Sequence, residues 1–225
     1  TWTLPSGWSG SSTTNSIIAT VGTTGGTISV TANNTCGSST PRTLNVTVNS
    51  TPAQPGAITG STTVCQGSSQ TYSIGSVTGA TSYTWTLPSG WSGSSTTTSI
   101  TATAGASGGP ISVKANNSCG SSTPRTLSVS VTTIPAQPGS ITGSTSVCQG
   151  SSQTYSITAV SGAASYTWTL PSGWSGSSTT NSIIATVGTT GGIISVTANN
   201  TCGSSAPRTL SVSVTTIPAQ PGAIT

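Results

Sequence analysis

The sequence predicts an all-β chain of tandem sandwich domains, and three observations predict it. The chain repeats itself every 83 residues: Trp2, Trp85 and Trp168 share one position, as do Arg42, Arg125 and Arg208, and Cys36, Cys119 and Cys202. Apolar residues alternate with Ser and Thr in short runs, the period-two pattern of strands with one buried face. Gly, Asn, Ser and Pro separate these runs at turn spacing, and no segment has helical spacing. Self-similarity at a fixed period makes each repeat one structural unit.

The stretch Tyr83–Trp91 organises each unit. Tyr83, Trp85 and Leu87 face one way, Ser82, Thr84 and Thr86 the other, and Pro88-Ser89-Gly90 stops the run. Tyr166, Trp168 and Leu170 repeat it, and Trp2 opens the third occurrence at the start of the chain. With Tyr72 and its counterpart Tyr155, these side chains are the expected core, because rings of this size bury the most apolar area.

The elements follow in order. Residues 1–50 form the back half of a repeat whose front strands are missing. Ile17, Ala19 and Val21 form one alternating run, Ile28, Val30 and Ala32 a second, and Leu44, Val46 and Val48 a third. The first complete repeat, 51–133, opens with Ala57-Ile58-Thr59 and bends at Val64-Cys65-Gln66-Gly67. Runs at Tyr72, Tyr83–Leu87, Ile100–Ala104, Ile111–Ala115 and Leu127–Val131 follow. About seven strands in 83 residues is the inventory of a minimal Ig-like sandwich. Residues 134–216 form a second complete repeat, and 217–225 match the first strand of a further one. Short connectors with two prolines three apart (Pro52 and Pro55, Pro135 and Pro138) join the units as stiff, extended links.

Composition narrows function. The 225 residues include no Asp, Glu or His, and Lys114 and the three arginines give a net charge of +4. Ser and Thr number 93, so hydroxyls rather than charges keep the surface solvated. Without His and carboxylates, neither a Ser-His-Asp triad nor a paired-carboxylate site can be built, which excludes most enzyme classes. Calcium and magnesium lose their usual ligands, and no cofactor is expected. Four scattered cations do not form a nucleic-acid-binding face. No apolar run is long enough for a membrane-spanning helix.

The cysteines recur too. Cys65 and Cys119 lie 54 residues apart, as do Cys148 and Cys202. The spacing predicts a disulfide within each complete repeat, with Cys36 paired to a residue upstream of Thr1. Such a loop contributes about 4 kcal/mol in chain-entropy terms, and it points to an oxidising compartment.

Four motifs carry a family resemblance: Pro55–Gly60, Val64–Gly67, Gly79–Trp91 and Asn117–Gly120. They resemble the PKD-like and Ig-like repeats of very large secreted proteins of Bacteroidetes-type bacteria, over both complete repeats and most of the first. Ordinary PKD domains carry an acidic turn after the Trp strand; here Pro-Ser-Gly-Trp stands in its place. The resemblance implies a non-enzymatic extracellular array of the kind found in adhesins and gliding-associated surface proteins.

Candidate sites are few. Trp8, Trp91 and Trp174 follow a Gly turn and either stack on sugars or fold back to cap the core. Arg125 and Arg208, beside Pro at a strand start, are either solvated or bridged to a neighbouring domain's carbonyls. Asn33, Asn45, Asn49, Asn116 and Asn199 satisfy the Asn-x-Ser/Thr glycosylation pattern. The expected role is a structural array in an extracellular filament or cell-surface stalk. Its partners are copies of itself joined head to tail, with attached or bound glycans as further partners. The alternative is a carbohydrate-binding adhesin module.

Overall fold

A computed structural model describes residues 1–216, 218 and 222; the strand expected over 217–225 lies largely outside the described residues. Every element is a strand. The first unit contains β1 (Trp2–Thr3), β2 (Gly26–Val30), β3 (Asn33–Asn34), β4 (Gly37–Ser38) and β5 (Arg42–Val46). The second contains β6 (Thr63–Cys65), β7 (Ser69–Ser73), β8 (Ser82–Thr86), β9 (Ser99–Thr103), β10 (Gly109–Asn117), β11 (Gly120–Ser121) and β12 (Arg125–Thr132). The third repeats it as β13 (Ser146–Cys148), β14 (Ser152–Ser156), β15 (Ser165–Thr169), β16 (Ser182–Thr186), β17 (Gly192–Asn200), β18 (Gly203–Ser204) and β19 (Arg208–Thr215).

Each complete unit is a two-layer sandwich. One layer runs β8-β10-β12-β6, antiparallel except for the parallel pairing of β6 with β12. The other is the β7–β9 pair, widened by bridges from Thr59 to Ser73 and from Ser92 to Thr103. The hairpin β10–β11 caps one end, where the buried Ser122 hydroxyl accepts from Ala115 N–H (3.0 Å) and donates to Thr123 O (2.9 Å). The third unit has the same pairings, with the same register.

The core corrects one expectation. Its centre is Tyr72 (Tyr155 in the third unit), at 0% exposure, rather than the Trp-containing strand. β7 lies inside its layer, whereas β8 is an edge strand, so Trp85 and Leu87, like Trp168 and Leu170, are only half-buried. Tyr83 and Tyr166 are buried, as expected. Tyr72 reaches across the core to donate its hydroxyl to Ser61 O (3.0 Å). Gly60 (φ +146°) lies against its ring, where a Cβ would collide with Cδ1. Trp91 packs on the same ring at 6.4 Å between centroids.

The first unit has the layer β1-β2-β5 and the β3–β4 hairpin among the described residues. In register, the counterpart of β7 falls upstream of Thr1, so the run over Ile17–Val21 forms a single bridge, Ser9 to Thr20, instead of a strand. Its inner face is correspondingly open. Val21 is 53% exposed where Ala104 is 4%, and Leu44 is 64% exposed where Leu127 packs against the second core. Trp2 is half-buried.

Burial pushes the Tyr72 and Tyr155 phenols above their ordinary value of about 10. The unfolded chain therefore releases these protons first as pH rises. Their contribution to stability is complete below pH 10 and is lost as pH climbs through the folded values. With no Asp, Glu or His there is no side-chain acid limb. The melting temperature is therefore expected to stay level from about pH 3 to pH 9 and to fall above about pH 10. Calorimetry across pH checks this; an acid-side loss would contradict it.

Candidate functional site: the joint between repeats

The most elaborate polar construction in the chain lies where one repeat meets the next. The proline connectors are not free spacers. Pro52, Pro55, Pro135 and Pro138 are buried, and each connector is strapped to the repeat that follows it. Gln54 Nε2 donates to Pro124 O (2.8 Å), and Arg125 Nε donates to Pro55 O (3.0 Å). In the third unit Gln137 Nε2 donates to Pro207 O (2.8 Å) and Arg208 Nε to Pro138 O (2.9 Å). Proline suits this strap because it fixes φ and leaves carbonyls without a competing N–H donor on the same residue. Arg125 and Arg208 thus bridge to carbonyls of the connector that opens their own repeat. The four cations have no acidic side chain to pair with, so screening by salt has little here to weaken.

An Asn adds the second tie. Asn117 Nδ2 donates to Ser50 O (2.7 Å), at the end of the preceding unit, and to Gly79 O (3.1 Å) in its own. Asn200 does the same with Thr133 O (2.8 Å) and Gly162 O (3.2 Å). Its Oδ1 accepts from Cys202 N–H (2.8 Å), fixing the turn that presents the cysteine. Asn200→Ala is expected to lower the unfolding free energy of the third repeat by about 1.5–4 kcal/mol, the range of three lost hydrogen bonds. Asn34→Ala, at the same position in the first unit, should cost less, because among the described residues it loses a single hydrogen bond, from Cys36 N–H to its Oδ1. Thermal melting of the two variants checks the difference.

The disulfide is the third tie, and it corrects the expected pairing. Cys65 is bonded to Cys202, with Cα atoms 5.4 Å apart, while Cys36, Cys119 and Cys148 are free and exposed. Bonds from Cys65 to Cys119 and from Cys148 to Cys202 are excluded by strand polarity. β6 lies beside the end of β12, with Cys65 level with Thr132. Cys119 sits at the other pole, past Arg125 on the turn that follows β10. From Arg125 to Thr132 alone is roughly 23 Å, at about 3.3 Å per residue, and a disulfide needs Cα atoms within about 7 Å. The exit pole of one repeat, however, abuts the entry pole of the next. There the two cysteines meet.

The remaining candidates fall into place around this frame. Trp91 and Trp174 are buried, and their indole N–H groups donate to Ser107 O (2.8 Å) and Thr190 O (2.9 Å), so neither ring offers a face to a sugar. Trp8 is half-buried and bonded alike to Thr24 O (2.8 Å). Asn116, Asn199 and Asn33 spend their amide nitrogens on Thr84, Thr167 and Thr1 hydroxyls (2.9, 2.9 and 2.8 Å). Asn45 and Asn49 are exposed. Sequence reasoning missed the roles of Gln54, Gln137, Asn117 and Asn200. Their recurrence beside the prolines and cysteines was the available signal.

These features define a tandem β-sandwich protein in which consecutive repeats are tied through strapped prolines, a bridging Asn and a disulfide. The chain belongs to the PKD-like domain family, which it matches over residues 1–46, 51–129 and 134–212. No curated protein matches it in sequence. Among solved structures it is similar to domains A168–A170 of titin (19% identity, TM-score 0.46, 88% of this chain and 78% of that one). It is also similar to the Escherichia coli adhesin FdeC (15%, TM-score 0.42, 96% and 84%). A third is a C-terminal 282-residue intimin fragment, in complex with the intimin-binding domain of the translocated intimin receptor (15%, TM-score 0.43, 71% and 64%).

Proposed function

We propose that the chain is part of a structural array of an extracellular filament or cell-surface stalk, with repeats following one another head to tail. The observation that carries this reading is the tied joint. Spacer domains need only a flexible link, whereas here the prolines of each connector are buried and the joint between the complete repeats is closed covalently by Cys65–Cys202. Joints of this kind resist bending and pulling, and the repeats contribute to stability roughly additively. A disulfide fits an oxidising, extracytoplasmic setting, and the absence of Asp, Glu and His fits a mechanical rather than a chemical role. A large secreted protein of a Bacteroidetes-type bacterium fits the repeat motifs. Glycans, where attached, fit Asn45 and Asn49, whose amide nitrogens make no hydrogen bond among the described residues. The carbohydrate-binding alternative loses its main support with Trp91 and Trp174 in the core.

Electron microscopy of native, unreduced material tests the reading. Uniform filaments with an axial repeat set by whole domains are expected. Isolated flexible beads would contradict it.

A further inference from the structure

The Cys65–Cys202 bond changes which part of the chain carries a pull. Tension that enters before residue 51 and leaves after residue 215 follows the shortest covalent route. By the backbone alone, that route visits every strand of the two complete repeats. Through the bond it runs along 51–65, crosses to Cys202 and leaves along 202–215. The stretch between the two cysteines, which are 137 residues apart in sequence, becomes a side loop. Its two ends are pinned at the bond, with Cα atoms 5.4 Å apart. A force whose points of attack cannot separate does no work. It therefore cannot speed the unfolding of β7–β17, and forced unfolding is governed by that rate.

The two loaded runs are already nearly straight, because each passes once from the entry pole of its repeat to the exit pole. In the second repeat Asn117 holds Ser50 O at the entry pole, and Cys65 is level with Thr132 at the exit pole. β10 reaches from the level of Arg125 to Asn117, and β12 from Arg125 to Thr132, so at a strand's rise per residue the poles stand roughly 36 Å apart. In the third repeat Cys202 is held by Asn200 at the entry pole, and Thr215 is level with Cys148 at the exit pole. Fully extended, 51–65 measures roughly 50 Å and 202–215 roughly 47 Å. Straightening both lengthens the pair by about 25 Å, whereas unravelling one free 83-residue repeat adds roughly 240–260 Å. Both runs are also gripped along their length. Gln54 and Arg125 strap the first, Thr59 and Ser73 exchange backbone hydrogen bonds (2.8 and 3.0 Å), and β6 lies on β12. β19, in the second, is hydrogen-bonded to β17 on one side and β13 on the other.

We propose that residues 51–65, the Cys65–Cys202 bond and residues 202–215 form one short covalent tether that carries tension past the strands between them. Pulling cannot unravel the two complete repeats while the bond is closed, and a thiol reductant releases them. The tether deepens the filament reading, which supplies the tension.

Single copies of the chain, held by handles at both ends in an optical trap, test this at a force that unravels the reduced protein. Oxidised chains are expected to stop at roughly 290–310 Å. Dithiothreitol should then add roughly 450–490 Å to the same molecule, the extended length of 137 residues. Cys202→Ser should reach full length unaided and gain nothing from dithiothreitol, and Cys148→Ser should behave as the native chain. The tether is overturned if oxidised native chains already reach roughly 740–800 Å. It is also overturned if Cys148→Ser lowers the gain to roughly 180–190 Å, the mark of bonds within single repeats. Flexible beads in electron microscopy, made of chains that show the two-stage extension, would remove the filament reading and leave the tether standing. Filaments of chains that unravel fully before reduction would do the reverse.

Discussion

Cys202→Ser is expected to lower the unfolding free energy of the two complete repeats by about 5 kcal/mol, the chain-entropy value for a loop as long as the one Cys65–Cys202 closes. Over two domains that corresponds to a fall in melting temperature of roughly 10–20 °C. Cys65→Ser should give the same loss, and the double variant no more than either alone, because both remove one interaction. Cys119→Ser and Cys148→Ser should be silent in the monomer, since both thiols are exposed and unbonded. Calorimetry of these five variants decides between an inter-repeat and an intra-repeat staple. Equal losses from Cys65→Ser and Cys119→Ser would sink the inter-repeat bond. The loss should also appear in bending: without the bond, the joint keeps the Asn200, Gln137 and Arg208 ties, and small-angle scattering should show a wider spread of interdomain angles.

Tyr72→Ala is the second large effect. The side chain is fully buried, donates to Ser61 O, carries the Trp91 ring and has no room to collapse into except toward Gly60. Removing it costs about 4 kcal/mol, in the range for a buried aromatic cut to Ala. Tyr72→Phe keeps the ring and costs about 1 kcal/mol, the value of one hydrogen bond. Because the cores of the second and third units are separate clusters, Tyr72→Ala should split the thermal transition, with the second unit melting first. Tyr155→Ala should reverse the order. One unsplit transition in both variants would show that the repeats melt as a single body, against the nearest-neighbour account.

Much of the fold was legible in the sequence. Strict alternation at Tyr83-Trp85-Leu87 and at Ile111-Val113-Ala115 assigned faces, and the 83-residue period copied each assignment. Two things were not. Which aromatic sits deepest depends on whether its strand is central or at an edge. Alternation is blind to that, so Trp85 on an edge strand was over-weighted against Tyr72. The disulfide partner was hidden for a related reason. In a periodic chain a spacing of 54 residues brings with it one of 137, a single 83-residue period longer, so spacing cannot choose between a partner in the same repeat and one in the next. Only the parallel placement of β6 beside the end of β12 puts Cys65 at the exit pole. The connectors read as extended and stiff, which describes their backbone. That they are strapped down, with their prolines buried, depended on Gln54 and Arg125 meeting proline carbonyls some 70 residues away in sequence.

The central claim is that consecutive repeats are locked to one another, and tryptic mapping of the unreduced monomer tests it most directly. Cleavage after Arg42, Lys114, Arg125 and Arg208 places Cys65 in fragment 43–114, Cys119 in 115–125, and Cys148 with Cys202 in 126–208. Fragment 43–114 joined to 126–208, with a further cut after Tyr155 placing the bond on Cys202, is the predicted result. Fragment 43–114 joined to 115–125, with 126–208 closed on itself, would contradict it.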